Sequence, residues 1–199
     1  AAVRATAVPG TTMLELDAVA HEVIRSNNCR PSFLGYHGFP ASICTSPNHV
    51  IVHGIPDGTR LREGDVLSID VGAIYEGWHG DAAFTMAIGD VAPEVEELIE
   101  VTERGLWAGI AAAQPGNRLG DVGHAISKVA EPHGYGVVRE YIGHGIGRQM
   151  HEAPDVPNYG RAGRGLKLKP GMAIAIEPMF NLGTAETAVL DDGWTVVTQ

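Results

Sequence analysis

Apolar and polar positions along this chain switch between a helical and a strand period. In "TTMLELDAVAHEVIRSNN", Leu16, Val19, Ala20 and Val23 recur at helix-face spacing, and Thr12 with Glu15 forms a capping box at the start. Two short β-rich runs follow, "SICTS" and "HVIVHG", divided by Pro47 and Asn48. "VLSIDVGAIY" and "WHGDAAFTMAIG" read as a strand and its return, joined by a turn at Glu76 and Gly77. A turn centred near Glu76 sets Asp81 opposite Val71 or Asp70. Pro93 opens a helix reaching Ala113, with acidic residues early, where the helix dipole favours them. "QPGN" breaks it, and Asn117 caps a further helix that ends near "PHGYG". Glycine-rich "REYIGHGIGRQMHEAP" and a polar loop to Gly165 follow, and strands "MAIAIEPMF" and "WTVVTQ" complete the pattern.

One stretch repeats its plan. "EGDVLSIDVG" and "KPGMAIAIEP" each place a turn glycine six residues before an acid, Gly64 before Asp70 and Gly171 before Glu177. Two similar halves would each carry one acid to the middle of the molecule. These acids stand out because they interrupt apolar runs. On a strand, Asp70 shares its face with Ser68 and Gly72, while Ile69 and Val71 take the other. Asp81 on the return strand lies within cross-strand reach of Asp70, and two carboxylates that close repel unless a cation neutralises them. Glu177 is the single charge in "AIAIEPMF" and needs a partner of its own. The plainer reading leaves all three acids facing water.

Composition narrows the alternatives. A chain of 199 residues, 44% hydrophobic, buries a sizeable core without disulfides and reads as a single domain over residues 1–199. Its two cysteines, Cys29 and Cys44, form no CxxC pair, which argues against a thiolate zinc site and suits a reducing cytosol. A net charge of −10 disfavours a nucleic-acid or anionic-membrane surface. No apolar run approaches the ~20 residues that span a bilayer. The N-terminal stretch is not a signal peptide; it begins without methionine, as a processed or cut end would.

Histidines complete the chemistry. His144 sits between two glycines in "GHGIGRQMHEAP", with His151 further along. The glycines here allow close approach of backbone to a ligand. Their G-x-G-x-G spacing is not the dinucleotide fingerprint, and neither His21-Glu22 nor His151-Glu152 continues into HExxH. Carboxylates and imidazole without thiolate suit manganese, iron(II), cobalt or zinc, and this many carboxylates can hold two such ions.

Taken together, "LGYHGFPASICTS", "VIVHGIPD", "IDVGAIYEGWHGDAAFT", "REYIGHGIGRQMHEAP", "KPGMAIAIEPM" and "DGWTVVT" resemble type I methionine aminopeptidases, in that family's order and over nearly the whole chain. The resemblance implies the α+β pita-bread fold, an antiparallel sheet flanked by helices with pseudo-twofold halves. It implies two divalent metal ions held by Asp70, Asp81, His144 and Glu177, with Asp81 bridging. It gives His53 a contact near the scissile amide, His151 a hydrogen bond to the substrate carbonyl, and Glu177 a proton-shuttling role. Tyr36, Phe39, Cys44, Met150 and Trp194 fall where the family lines its methionine side-chain pocket. The implied activity is removal of N-terminal methionine from nascent proteins and peptides with a small second residue, by a cytoplasmic monomer with the ribosome as a candidate partner.

One departure stands against the family pattern. A fifth ligand, a bridging glutamate, lies beyond the tryptophan of "DGWTV" in the family, further on than Gln199. The sequence therefore reads as truncated at both ends, or as a shortened homologue. The alternative from another class is a catalytically impaired or non-catalytic binding module on the same fold. The enzyme alternative is a proline-directed peptidase of that fold, which does not show the "HGIPD" context.

Overall fold

The longest ladder is a hairpin. In the computed structural model, which describes all 199 residues, β4 (Val66–Tyr75) and β5 (Trp78–Ala87) pair antiparallel from Val66 opposite Ala87 to Tyr75 opposite Trp78. The turn is tight: Glu76 and Gly77 both have positive φ, 50° and 81°. Leu67 and Ile69 bury completely, while Ser68 and Asp70 take the opposite face. A one-residue slip would exchange Ile69 for Asp70 in the core. It would forfeit about 2 kcal/mol of apolar burial per side chain and bury a charge, so the register is strongly specified.

The chain forms two compact units, Ala1–Glu96 with Ala188–Val197, and Glu97–Thr187 with Thr198–Gln199. In the first unit, α1 (Ala2–Thr6) precedes α2 (Met13–Ser26), and the Thr12–Glu15 capping box is present. Glu15 N–H donates to Thr12 Oγ1 at 3.2 Å, and Thr12 N–H donates to Glu15 Oε2 at 2.7 Å. The buried face of α2 is Met13, Leu16, Ala20 and Ile24, not the expected Leu16, Val19, Ala20 and Val23; Val23 points to solvent. Asp17 accepts from the N–H groups of Ser42 and Ile43, tying α2 to the start of β2 (Ile43–Pro47). β2 and the short β1 (Arg30–Pro31) pair with β4, and β3 (Val50–Val52) pairs with β11 (Val196–Thr198), beside β10 (Thr187–Val189). Leu16, Ile43, Leu61, Leu67, Ile69 and Ile88 centre this core.

The second unit packs helices over short strands. α3 (Pro93–Ala112) and α4 (Leu119–Ala130) share a core of Val101, Val122, Ile126, Val156 and Phe180. The cap of α4 is Arg118 rather than the expected Asn117: Asp121 Oδ2 accepts the Arg118 N–H at 2.7 Å, while the Asn117 amide turns back to the Ala112 carbonyl. β6 (Gly136–Val137) pairs with β9 (Phe180–Asn181), and β7 (Gly143–Gly145) with β8 (Glu152–Val156). The expected strand "MAIAIEPMF" is extended but not laddered. Ile174 makes one isolated bridge to Gly145, and only Phe180 lies in a strand. Pro178 has no N–H to offer a ladder. The sequence echo nevertheless has a backbone counterpart: Gly64 and Gly171 adopt φ of +87° and +88°, a conformation that side-chain-bearing residues rarely take.

Candidate metal centre

In the first unit, Asp70 and Asp81 share one face of the hairpin. Asp70 lies opposite Ala83 and Asp81 opposite Gly72, not Val71 or Asp70 as expected, so the carboxylates are diagonal neighbours. The cause is the two-residue turn, which pairs Tyr75 with Trp78 and moves the register outward. Diagonal positions keep both carboxylates within reach of one ion or ion pair while relaxing their direct repulsion. Gly72 makes room for this face: a Cβ there would lie 2.7 Å from Ser32 Cβ and 2.8 Å from the Phe33 ring. Phe33 therefore covers the strand beside Asp70, a role the sequence pattern did not reveal.

Cys44 of β2 lies opposite Asp70 and is buried. Burial pushes its thiol far up, and the charges of Asp70, Asp81 and Asp17 add to the effect. The thiol stays protonated, so it serves as a small apolar wall and not as a nucleophile or thiolate ligand.

An aromatic group lies in the same unit. Phe39 and Trp194 meet edge-on with ring centroids 5.1 Å apart, and the His53 ring lies 6.3 Å from Trp194. His53 has φ of 61°, and burial lowers its pKa, so the ring is neutral near pH 7. Trp194 is held by Asp192, whose carboxylate accepts from the N–H groups of Trp194 and Thr195 and from the Thr195 hydroxyl, at 2.8, 2.8 and 2.6 Å. The Thr195 hydroxyl leads in holding the Asp192 pKa down, aided by the two backbone bonds. Asp192 was not singled out from the sequence, although "DDGW" is a signature of such side-chain-to-backbone turns. Tyr36 lies in a one-turn 3-10 helix, its ring 4.3 Å from that of His37.

In the second unit, His144 of β7 is buried and its Nδ1 lies 2.8 Å from the Gly145 carbonyl oxygen. A carbonyl only accepts, so Nδ1 carries the proton, and in the neutral ring Nε2 presents a lone pair. That Nε2 lies 3.3 Å from Glu177 Oε1. An imidazole lone pair and a carboxylate oxygen converge on one spot, where only a proton or a metal ion reconciles them. Backbone bonds fix the arrangement. Ala175 N–H donates to the His144 carbonyl at 2.7 Å, and the fully buried Asn158 donates from Nδ2 to the Glu177 carbonyl at 2.8 Å. Asn158 is a second residue that the sequence reading missed. The His151 ring lies 4.2 Å from that of His144 and faces solvent, and Met150 is buried. The glycines around His144 serve the chain's own backbone rather than a ligand: a Cβ on Gly145 would lie 2.3 Å from the Ala153 carbonyl oxygen.

The donor set, oxygens plus one imidazole, fits hard or borderline divalent cations. The sequence profile of metallopeptidase family M24 matches residues 1–197. A methionine aminopeptidase of Clostridium acetobutylicum is 54% identical over 97% of this chain and 78% of that protein. The chain belongs to the methionine aminopeptidases of this family. Methionine aminopeptidase 1 of Mycobacterium tuberculosis is also 54% identical, over 99% of this chain and 77% of that protein. The crystal structure of methionine aminopeptidase from Rickettsia prowazekii superimposes with a TM-score of 0.95 at 48% identity, over 97% of this chain and 78% of that one. The fold is thus the family's pita-bread fold. A prolidase from Pyrococcus furiosus shares the fold alone, with a TM-score of 0.74 at 24% identity over 89% of this chain and 50% of that one. No helix is long and apolar enough to cross a membrane.

Proposed function

We propose that this chain removes the N-terminal methionine from nascent proteins and peptides with a small second residue, as a single catalytic domain. Asp70, Asp81, His144 and Glu177 would hold two divalent ions, manganese, iron(II), cobalt or zinc, with Asp81 offering a carboxylate to both. The observation that carries the reading is the pairing of the His144 Nε2 lone pair with the Glu177 oxygen at 3.3 Å. Bound ions supply Lewis acidity and lower the pKa of water at the site. The chain's own residues do the rest. His151 donates a hydrogen bond to the oxyanion that develops on the scissile carbonyl, a contribution of roughly 3 kcal/mol when well aimed. Glu177 takes the proton of the attacking water and returns it to the departing amine. Neutral His53 holds the substrate amide. Phe39, Trp194, Tyr36, Cys44 and Met150 enclose the methionine side chain.

The alternative of an impaired or non-catalytic binding module is not favoured, since relatives at about half identity over nearly the whole chain carry the name methionine aminopeptidase. Cytoplasmic location, a monomeric state and a ribosomal partner belong to the same proposal. The deciding experiment measures release of methionine from Met-Ala-Ser together with bound metal. Loss of both on exhaustive chelation, and their return with manganese or cobalt, is the expected result. Unchanged turnover at nil metal content overturns the reading.

A further inference from the structure

We infer that Asp192 is a positioning residue that sets the selectivity of the methionine pocket by holding Trp194, without itself meeting the substrate. The inference rests on the proposed peptidase function and adds a specificity determinant to it.

The local sequence builds a clasp. "LDDGWT" forms a tight turn between β10 and β11, with the Leu190 N–H donating to the Thr195 carbonyl at 2.8 Å and the Gly193 N–H to the Leu190 carbonyl at 2.9 Å. Gly193 has φ of 74°, a conformation that suits glycine. Asp192 fastens this turn from outside. Its Oδ1 accepts from both the Trp194 and the Thr195 N–H, and its Oδ2 accepts the Thr195 hydroxyl. With both oxygens engaged, the carboxylate is held against rotation, and the backbone that carries the indole is fixed at two successive residues. Asp191 and Asp192 are both exposed, but Asp191 takes no part in these bonds.

The strand ladder determines what the indole faces. Val196 of β11 pairs with Val52 of β3, so the residues just before Val196 run beside those just after Val52. Trp194 thereby comes next to His53, at 6.3 Å between ring centroids and 82° between planes, and it meets the buried Phe39 at 5.1 Å and 73°. Edge-to-face contacts are directional, so a shift of the backbone at Trp194 moves the indole against both rings. A methionine side chain offers no charge and no hydrogen-bond donor. An apolar pocket therefore tells it from leucine by shape, and shape separates such side chains by ~10–200-fold. That discrimination requires a wall that does not yield. Asp192 supplies the rigidity from outside the pocket, and in this way an exposed carboxylate governs an apolar choice.

The test compares Met-Ala-Ser with Leu-Ala-Ser. Asp192→Ala lowers the kcat/KM ratio of the two peptides about tenfold, through KM for the methionine peptide, while kcat for that peptide stays within about twofold. Asp192→Asn retains most of the ratio, because its amide oxygen still accepts both N–H groups and its NH2 donates to the Thr195 hydroxyl. Asp191→Ala, which removes an equal charge from the same turn, leaves the ratio unchanged. Where Asp192→Ala does not fold, Thr195→Val removes the hydroxyl bond alone and shifts the ratio in the same direction. Of the three tryptophans, Trp78 and Trp107 are exposed, so a Trp78→Phe, Trp107→Phe background leaves Trp194 as the single reporter. In that background Asp192→Ala raises acrylamide quenching of Trp194, and titration of the manganese-loaded protein with L-methionine and L-leucine reads the preference without turnover. A methionine preference in binding that falls with Asp192→Ala upholds the inference even where no peptide is cleaved, an outcome that instead refutes the peptidase reading. A preference that Asp192→Ala and Thr195→Val leave unchanged, or that Asp191→Ala lowers equally, overturns it.

Discussion

Gly72→Ala is a sharp test of how the carboxylate face is built. The new Cβ would stand 2.7 Å from Ser32 Cβ, 2.8 Å from Phe33 Cε1 and 3.1 Å from Ser32 Oγ. Ordinary carbon contacts lie near ~3.5–4.0 Å, so both neighbours must retreat by about an ångström. Neither can do so freely. Ser32 N–H donates to the Gly72 carbonyl at 2.9 Å, which ties the two backbones together, and the Phe33 ring is buried. Overpacking of this kind costs about 1–3 kcal/mol. With two neighbours displaced, a value of about 2 kcal/mol follows, which lowers the melting temperature of a chain this size by roughly 4–8 °C. Because Asp81 sits directly opposite Gly72, manganese affinity measured by calorimetric titration should fall as well. A double-mutant cycle with Phe33→Ala should show a coupling of about 1 kcal/mol or more, since removing the ring relieves part of the clash. A melting temperature within about 1 °C of the parent, with an unaltered titration, would mean that the close approach at Gly72 does not hold this face in place.

Asp81→Asn should abolish binding of the second metal equivalent, whereas His151→Ala should retain both and lose turnover; the proposed roles fail if calorimetry gives the reverse. Asn158→Ala leaves the Glu177 carbonyl without its buried donor and should cost about 1–3 kcal/mol in denaturant unfolding, with weaker metal binding. His53 provides a pH test. Burial lowers its folded-state pKa, so the unfolded chain binds the proton more readily and the associated stability is complete only above about pH 6.5. That stability should drain away as pH falls through the unfolded value, and His53→Asn should flatten this part of the stability–pH curve; an unchanged slope would exclude His53 as its source.

The hairpin was legible in the sequence because two signals agreed. Apolar residues at alternate positions fixed the buried face, and Glu76-Gly77 fixed the turn. The register was missed by one to two positions because a turn's centre is not encoded in the strands it joins. It became visible only where Tyr75 meets Trp78. "MAIAIEPMF" misled for a different reason. A continuous apolar run reports burial, and burial is equally compatible with a laddered strand and with an extended segment held by a few bonds such as Ala175 to His144. On α2, Val23 and Ile24 are adjacent and both apolar, so only the packed structure chooses between them.

The candidate ligand residues stand out in the sequence because their chemistry conflicts with their surroundings. A charge inside an apolar strand must be compensated, and that requirement shows in one sequence. Residues that act through geometry leave no such mark. Asn158 is one polar residue in a polar loop until its amide is found on the Glu177 carbonyl. Asp192 is a turn aspartate until Trp194 is found hanging from it.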